Sequence, residues 1–186
     1  MESLNINDLR PRLFKLIRQD AFFCQKITLS SGKESDFYID ARLVTLSGEG
    51  AFLCASIIWE MVKDENPDAV GGPTLGADPI AGALAAISYL NKKPLNTFII
   101  RKAPKPHGRM RHIEGHELKA GAKVVLIDDV ATTGKSLVEA VEKLRAYGIN
   151  ILKAIVIVDR QEGARESLTK VNCPLVSVFT AADFLK

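Results

Sequence analysis

From about residue 68 onward, the chain alternates between short apolar runs typical of strands and longer runs with helical periodicity. The strand-like runs cover residues 68–71, 96–101, 123–128, 151–158 and 175–179, and the helix-like runs cover 77–90, 135–147 and 162–170. This rhythm predicts a parallel sheet, because parallel neighbours need a crossover connection that is usually a helix. The sequence therefore predicts the α/β class, with a mostly parallel central sheet flanked by helices.

The N-terminal part of the chain follows a different pattern. Apolar residues recur at helical spacing between Ile6 and Ile17 and predict a first helix. Two strand-like runs, 26–29 and 36–41, are joined by residues of turn composition and predict a hairpin. A second helix is predicted over 49–63, where apolar residues repeat every three to four positions.

Composition indicates one globular domain over the 186 residues. Hydrophobic residues make up 47% and charged residues 25%, and no apolar run reaches the ~18 residues of a membrane span. The N-terminus lacks the basic and then apolar pattern of a signal peptide. Three widely spaced cysteines favour a reduced, cytoplasmic protein over a disulfide framework. The net charge of +3 is too small to predict nucleic-acid binding, so neither a membrane nor a nucleic acid is expected as a partner.

Positive charge is concentrated in one segment of the chain. Between Arg101 and His112 there are five lysines and arginines and no acid, and all three histidines lie in or beside this stretch. Residues 103–118 also contain two prolines and two glycines and show no periodicity, which predicts a long mobile loop. Such a basic segment usually meets an anion, and the alternative is a solvated excursion without function.

The stretch VVLIDDVATTGKS, residues 124–136, carries the most chemical information. An apolar strand ends in Asp128 and Asp129, and a loop of small hydroxyl residues and glycine leads into a helix. Backbone N–H groups at a helix N-terminus suit a phosphate, whereas ionised carboxylates accept hydrogen bonds from hydroxyls. A ribose 5-phosphate satisfies both halves. A P-loop is excluded because Asp129 stands where that motif needs glycine, and the remaining alternative is a pair of capping aspartates.

This stretch resembles the 5-phosphoribosyl-1-diphosphate (PRPP) motif of the type I phosphoribosyltransferases. Over about residues 25–180 the chain resembles the short bacterial and archaeal orotate phosphoribosyltransferases. The wider resemblance rests on RKAPKPHGRMRHIEG (101–115), GGPTLGADPIAGA (71–83), SSGKESDFYIDAR (30–42) and VDRQEGA (158–164). It implies the type I phosphoribosyltransferase fold, in which residues 1–45 form a small hood.

The resemblance also implies an activity and partners. The reaction would transfer the 5-phosphoribosyl group from PRPP to orotate, giving orotidine 5′-monophosphate and diphosphate in pyrimidine biosynthesis. Mg²⁺ would be held mainly by PRPP and water, without a dedicated metal site on the protein. The implied assembly is a homodimer with active sites shared across the interface.

Site residues follow from the resemblance position by position. The PRPP-binding residues would be Arg101, Lys102, Lys105, His107, Asp128, Asp129, Val130, Ala131, Thr132, Thr133, Gly134, Lys135 and Ser136. Among these, the aspartates would hold the ribose hydroxyls and residues 131–136 the 5′-phosphate. Lys102, Lys105 and His107 would be the catalytic residues of the loop that covers the diphosphate. Thr132 and Arg160 would contact orotate, since a guanidinium grips a carboxylate with two parallel hydrogen bonds.

Other assignments stay open at this point. Residues 72–78 would line the diphosphate side, and Lys33, Tyr38, Asp40 and Arg42 are weaker candidates for substrate contacts. Arg160 could instead form a surface ion pair with Asp159 or Glu162. The alternative functions are transfer to a purine or other base, which removes the need for Arg160, and a regulator that senses PRPP. The regulator is disfavoured because no element is left over for binding DNA or RNA.

Overall fold

The structure is a computed structural model that describes residues 6–28, 34–103 and 112–185. Its N-terminal elements are α1 (Ile6–Asp20), β1 (Phe22–Phe23), β2 (Ile27–Thr28), β3 (Glu34–Ser35), β4 (Tyr38–Ile39), α2 (Arg42–Thr45) and α3 (Gly48–Val62). They are followed by β5 (Ala69–Pro73), α4 (Ala77–Leu90), β6 (Asn96–Ile100), β7 (Ile113–Gly115), β8 (Lys123–Ala131), α5 (Lys135–Ala146), β9 (Asn150–Asp159), α6 (Ala164–Lys170), β10 (Leu175–Thr180) and α7 (Ala181–Phe184).

A six-stranded sheet forms the centre, with the strand order β10-β9-β8-β5-β6-β7. The first five strands in this order are parallel, and only β7 runs antiparallel, at the edge beside β6. The predicted α/β class, with a mostly parallel sheet between helices, is confirmed. None of the helices in the described ranges is long and apolar enough to cross a membrane.

The middle of β8 shows why the sheet is buried on both faces. Val125 and Ile127 belong to a core built with α1, α3 and α4, whereas Val124 and Leu126 belong to a second core built with α5 and α6. All four side chains are fully buried. Because successive strand residues point to opposite faces, a strand covered on both sides must be apolar at every position.

The hairpin predicted from residues 26–29 and 36–41 is wrong in its pairing. Strand β2 pairs with β3, and β4 pairs with β1, which lies directly after the first helix. The register places Phe23 opposite Tyr38, with ring centroids 6.4 Å apart. Cross-strand aromatic contacts of this kind stabilise an antiparallel pair, and strands of two residues are too short to show in periodicity.

The segment predicted to be one long irregular loop, 103–118, is partly ordered as a strand. Its residues Ile113–Gly115 form β7, and the Arg101 N–H extends the ladder by donating to the His112 carbonyl at 2.8 Å. Covering the edge of β6 satisfies backbone groups that would otherwise be open to another chain. The short helices α2 and α7 were also not predicted.

Candidate active site

Those predicted site residues that follow β8 and β9 meet along one edge of the sheet, where the five parallel strands end. The loops after β8 and β9 are neighbours there, because these strands pair up to Ala131 and Asp159. The Arg160 N–H donates to the Ala131 carbonyl at 2.9 Å and joins the two loops. The carboxyl edge of a parallel sheet is where open α/β proteins bind ligands.

A cavity of 640 Å³ opens at the N-terminus of α5. Its lining residues are Lys102, Val130, Thr132, Thr133, Gly134, Lys135, Ser136 and Glu139. Gly134 has a φ of 78°, and a Cβ there would lie 3.0 Å from the Cα of Ala164, so the turn into the helix favours glycine. The free N–H groups of the first helical turn and the hydroxyls of the loop make this cavity suitable for a phosphate.

The two aspartates sit at the end of β8, beside this cavity. Asp128 is only 6% exposed, and its carboxylate accepts hydrogen bonds from the Asp129 N–H at 3.0 Å and from the Ser136 hydroxyl at 3.4 Å. Burial raises the pKa of Asp128 well above its usual value, and the charge of Asp129 adds to this effect. Burial also raises the pKa of Asp129, although the Val130 N–H, which donates to it at 2.7 Å, opposes the shift. The two carboxylates are therefore poorly solvated when ionised, and neither has a directly bonded cation among the described residues.

Gly76 brings the loop after β5 against both carboxylates. A Cβ at this position would lie 2.1 Å from Oδ1 of Asp128 and 2.4 Å from Oδ1 of Asp129. No side chain fits there unless an aspartate moves. Two residues further on, Oδ2 of Asp78 accepts a hydrogen bond from the Thr74 hydroxyl at 2.8 Å, while its buried Oδ1 has no hydrogen-bond partner.

Two of the weaker candidates form an ion pair at the rim. Arg42 donates to both carboxylate oxygens of Asp40, at 2.9 and 3.0 Å, and this lowers the pKa of Asp40. The charge of Arg42 also favours the ionised form of Asp129 and thereby limits the rise of its pKa. Asp40 and Arg42 line an apolar groove of 790 Å³ together with Leu43, Leu46, Ser47, Leu75, Asp78 and Pro79. Lys33 lies outside the described residues.

The basic segment is described only in part. Arg101 forms an ion pair with Glu114 of β7 at 3.2 Å, and the carbonyl of Arg101 accepts a hydrogen bond from Lys143. Lys102 is exposed and lines the phosphate cavity of its own chain. Lys105 and His107 lie outside the described residues, so their placement stays a prediction.

Arg160 is buried at the start of the loop after β9, not on the surface. It pairs with Glu162, Nε to Oε1 at 2.8 Å, so the alternative of an ion pair with Asp159 or Glu162 holds for Glu162 as the partner but not for a position on the surface. The guanidinium carbon lies 4.5 Å from the centroid of the Phe37 ring, and one Nη donates to the Phe37 carbonyl at 3.4 Å. The hood thus contacts the candidate orotate residue directly.

Sequence reasoning missed Phe37 as part of the site, and it named Gly76 only within the range 72–78 and Glu162 only as a possible surface partner of Arg160. The glycine-rich stretch 71–76 gave a signal for Gly76, because such stretches let a backbone approach another group closely. Phe37 gave no signal, since its contact with Arg160 joins segments 123 residues apart.

An acid pair and a phosphate-suited helix N-terminus, together on the carboxyl edge of a parallel sheet, define the class of α/β proteins that bind ribose phosphates. The family model for the phosphoribosyl transferase domain matches residues 46–182. The chain belongs to the phosphoribosyltransferase family.

Two similar relatives within this family are orotate phosphoribosyltransferases. The chain is 42% identical to the orotate phosphoribosyltransferase of Bradyrhizobium diazoefficiens over 180 residues, which cover 95% of this chain and 96% of that one. It is 45% identical to the orotate phosphoribosyltransferase of Aquifex aeolicus over 157 residues, 84% and 85% of the two chains. Among solved structures, it superposes on Mycobacterium tuberculosis orotate phosphoribosyltransferase in complex with PRPP with a TM-score of 0.78 at 32% identity, covering 96% and 99% of the chains.

Proposed function

We propose that this protein is an orotate phosphoribosyltransferase, which converts orotate and PRPP into orotidine 5′-monophosphate and diphosphate for pyrimidine biosynthesis in the cytoplasm. The observation that carries the proposal is the hydrogen bond from the Arg160 N–H to the Ala131 carbonyl, which joins the loop of the candidate orotate residue to the candidate phosphate loop. The names of relatives that match nearly the whole chain support the same reaction.

On the PRPP side, the phosphate binds at the N-terminus of α5 and the ribose hydroxyls bind the two aspartates. The raised pKa values of Asp128 and Asp129 reflect a charge that the free protein solvates poorly. Ribose hydroxyls donate hydrogen bonds to these carboxylates and replace the missing solvation. Sugar binding is therefore strongest when both carboxyls are ionised.

The chemical step breaks the bond between C1 of the ribose and the diphosphate. Positive charge develops at the sugar ring, similar in character to a glycosidase transition state, and negative charge grows on the leaving diphosphate. Lys102 stabilises that negative charge from within the cavity, and Lys105 and His107 join it from the segment beyond the described residues. A ring nitrogen of orotate forms the bond to C1 as the diphosphate leaves with the electrons of the broken bond, and the departing diphosphate takes up the proton of that N–H.

Mg²⁺ accompanies PRPP in this proposal. The ion would be held mainly by PRPP and water, and the oxygen atoms of Asp128 and Asp129 beside the ribose hydroxyls suit the neighbourhood of Mg²⁺. When bound, the ion neutralises charge on the departing diphosphate.

Arg160 selects the base. Its planar guanidinium matches the carboxylate of orotate, which adenine, guanine and uracil lack. The stack on Phe37 and the bond to Glu162 hold the guanidinium plane before the substrate arrives.

A second copy of the chain covers the groove beside Arg42. Three leucines at its rim, Leu43, Leu46 and Leu75, are 53%, 73% and 64% exposed, although they lie next to the catalytic edge. Exposed apolar side chains grouped in this way are typical of interaction surfaces, and closed symmetric dimers are the commonest assembly. Loop residues beyond Lys102 then reach the site of the partner subunit.

A spectrophotometric assay tests the proposal. Orotate absorbance should fall only when PRPP and Mg²⁺ are both present, and diphosphate should appear in equal amount. Uracil and adenine serve as matched controls that lack the carboxylate. Turnover of either control at the rate of orotate, or no turnover of orotate, would contradict the proposed function.

A further inference from the structure

A continuous stack of planar groups leads from Arg160 into the hood and on to the C-terminal helix. Beyond the contact of Arg160 with Phe37, the ring of Phe37 stacks on Phe22, with centroids 5.7 Å apart and planes inclined by 23°. Phe22 in turn stacks on Phe184 at 5.7 Å and 21°. Phe184 finally stacks on Phe14 of α1 at 4.8 Å and 12°. Offset stacking is the favourable arrangement for such rings, so the position of each ring is set by the next.

The same C-terminal helix also reaches the loop that carries Arg160. The N–H of Ala182 donates to Oε1 of Gln161 at 3.4 Å. Gln161 has a φ of 60°, a left-handed conformation that is uncommon for a residue with a side chain. Helix α7 thus contacts the base site twice: through the ring stack behind Phe37, and through the residue that follows Arg160.

Helix α7 is itself firmly anchored. The Thr180 hydroxyl and N–H both donate to the Asp183 carboxylate, which caps the helix, at 2.9 and 2.8 Å. Arg18 of α1 donates to the carbonyl of Phe184 at 2.5 Å. Because this last bond goes to the backbone, replacing the side chain of Phe184 keeps the tether and removes only the ring.

We propose that α7, through the ring of Phe184, is a positioning element for the orotate-binding arginine. It fixes the Phe37 ring against Arg160 and contacts the side chain of Gln161, the next residue, and so holds the guanidinium plane in the orientation that grips the carboxylate. A bidentate contact needs this alignment, because two parallel hydrogen bonds fail together when the plane tilts. The inference rests on the proposed function, since it takes orotate as the ligand of Arg160.

The decisive variant is Phe184→Leu, which keeps apolar bulk and removes the ring. We expect the KM for orotate to rise roughly tenfold, the size of effect that slight misplacement of a binding group produces, with the KM for PRPP and the saturated kcat unchanged. Phe98→Leu is the matched control, because Phe98 is equally buried but belongs to the core on the α5–α6 side of the sheet. The control should lose similar thermal stability and keep its KM for orotate.

Two further variants keep the test decisive if Phe184→Leu does not fold. Phe22→Leu breaks the stack at an intermediate ring, and Gln161→Ala removes the second contact at an exposed position. Both should raise the KM for orotate and leave that for PRPP unchanged. An unchanged KM for orotate in the folded variants, or an equal rise in both KM values, would overturn the positioning role. A wild-type enzyme without orotate turnover would instead refute the proposed function, so the two failures are distinguishable.

Discussion

The phosphate side and the base side of this site are built in different ways. The phosphate side consists of residues 128–136, one continuous segment that ends a strand, turns at Gly134 and begins a helix. The base side consists of Arg160 with Glu162 and Phe37, and the rings behind it come from both ends of the chain. One half of the site is therefore a local motif, and the other exists only in the folded protein.

The difference extends to charge. Arg160 is buried with a carboxylate partner 2.8 Å away, so its charge is compensated in the free protein. Asp128 is buried beside the half-buried Asp129, and burial together with the charge of Asp129 disfavours ionisation of Asp128. On the base side, the charge of Arg160 is paired before a ligand binds. On the phosphate side, ionisation of Asp128 stays unfavourable until a ligand donates hydrogen bonds to the acid pair.

The largest effect is expected where the phosphate side meets the partner subunit. Lys105→Ala and Asp129→Asn homodimers should each be nearly inactive. If Lys105 serves the partner's site, mixing the two variants should restore about a quarter of wild-type activity, because random exchange gives half mixed dimers with one intact site each.

Lys102 supplies the matched control for this mixing experiment. It lines the phosphate cavity of its own chain, so Lys102→Ala and Asp129→Asn should not complement each other. Equal recovery in both mixtures would place Lys102 in the partner's site as well. No recovery in either mixture, with exchange verified by tagged subunits, would show that each chain builds its own site.

Arg160→Ala should separate the two sides kinetically. Loss of a bidentate contact to a carboxylate should cost about 2–4 kcal/mol of transition-state stabilisation. The kcat/KM for orotate should therefore fall roughly 30- to 700-fold, with PRPP binding retained. Arg165→Ala is the control in the first turn of α6, directly after this loop, since its side chain is exposed and lies 3.7 Å from Asp159. Calorimetry with PRPP alone and steady-state kinetics with orotate check both halves. An unchanged efficiency for orotate would remove Arg160 from the base site.

Gly76→Ala should damage only the phosphate side. The new Cβ would meet the carboxylates of Asp128 and Asp129 at 2.1 and 2.4 Å, so at least one must move away from the ribose hydroxyls. We expect kcat/KM for PRPP to fall roughly 10- to 100-fold, as for other displaced binding groups. Gly82→Ala is the control, because a Cβ there meets nothing within 4 Å, and alanine should stabilise the α4 interior by about 0.5–1 kcal/mol. Full activity of Gly76→Ala would contradict the close approach.

The features that the sequence predicts are those set within one segment, and the features it does not predict depend on contacts between distant segments. The strands and flanking helices were predictable because each is set by periodicity within one segment. The same holds for the strand, loop and helix start over residues 124–136, whereas the role of Asp128, Asp129 and the loop to Ser136 as a binding site stays a prediction. The pairing of β4 with β1 was not predictable, since it depends on Phe23 meeting Tyr38 across the hood. The burial of Arg160 was equally hidden, because it depends on a ring 123 residues away in sequence.

Asp128→Asn tests whether the acid pair destabilises the ligand-free protein, and it should give the smallest effect. Unlike the variants above, which lose activity, it should gain stability. Asparagine can still accept the Asp129 N–H through its carbonyl and donate its amide to the Ser136 hydroxyl, so it removes charge and keeps the contacts. The pKa of Asp128 is higher in the folded than in the unfolded chain, mainly through burial. The folded state therefore binds the extra proton, and stability is lost as the pH rises from the unfolded pKa through the raised one.

At neutral pH the ligand-free variant should consequently melt higher than the wild type, by roughly 2–4 °C if about 1 kcal/mol is relieved in a domain of this size. The difference should shrink as the pH falls, because protonation relieves the wild type in the same way. Asp64→Asn, at an exposed position, should change neither the melting temperature nor its pH dependence. A variant less stable than the wild type at neutral pH would mean that the charge of the acid pair is already compensated in the ligand-free protein. The two sides would then differ only in that one is a continuous segment and the other is assembled from distant segments.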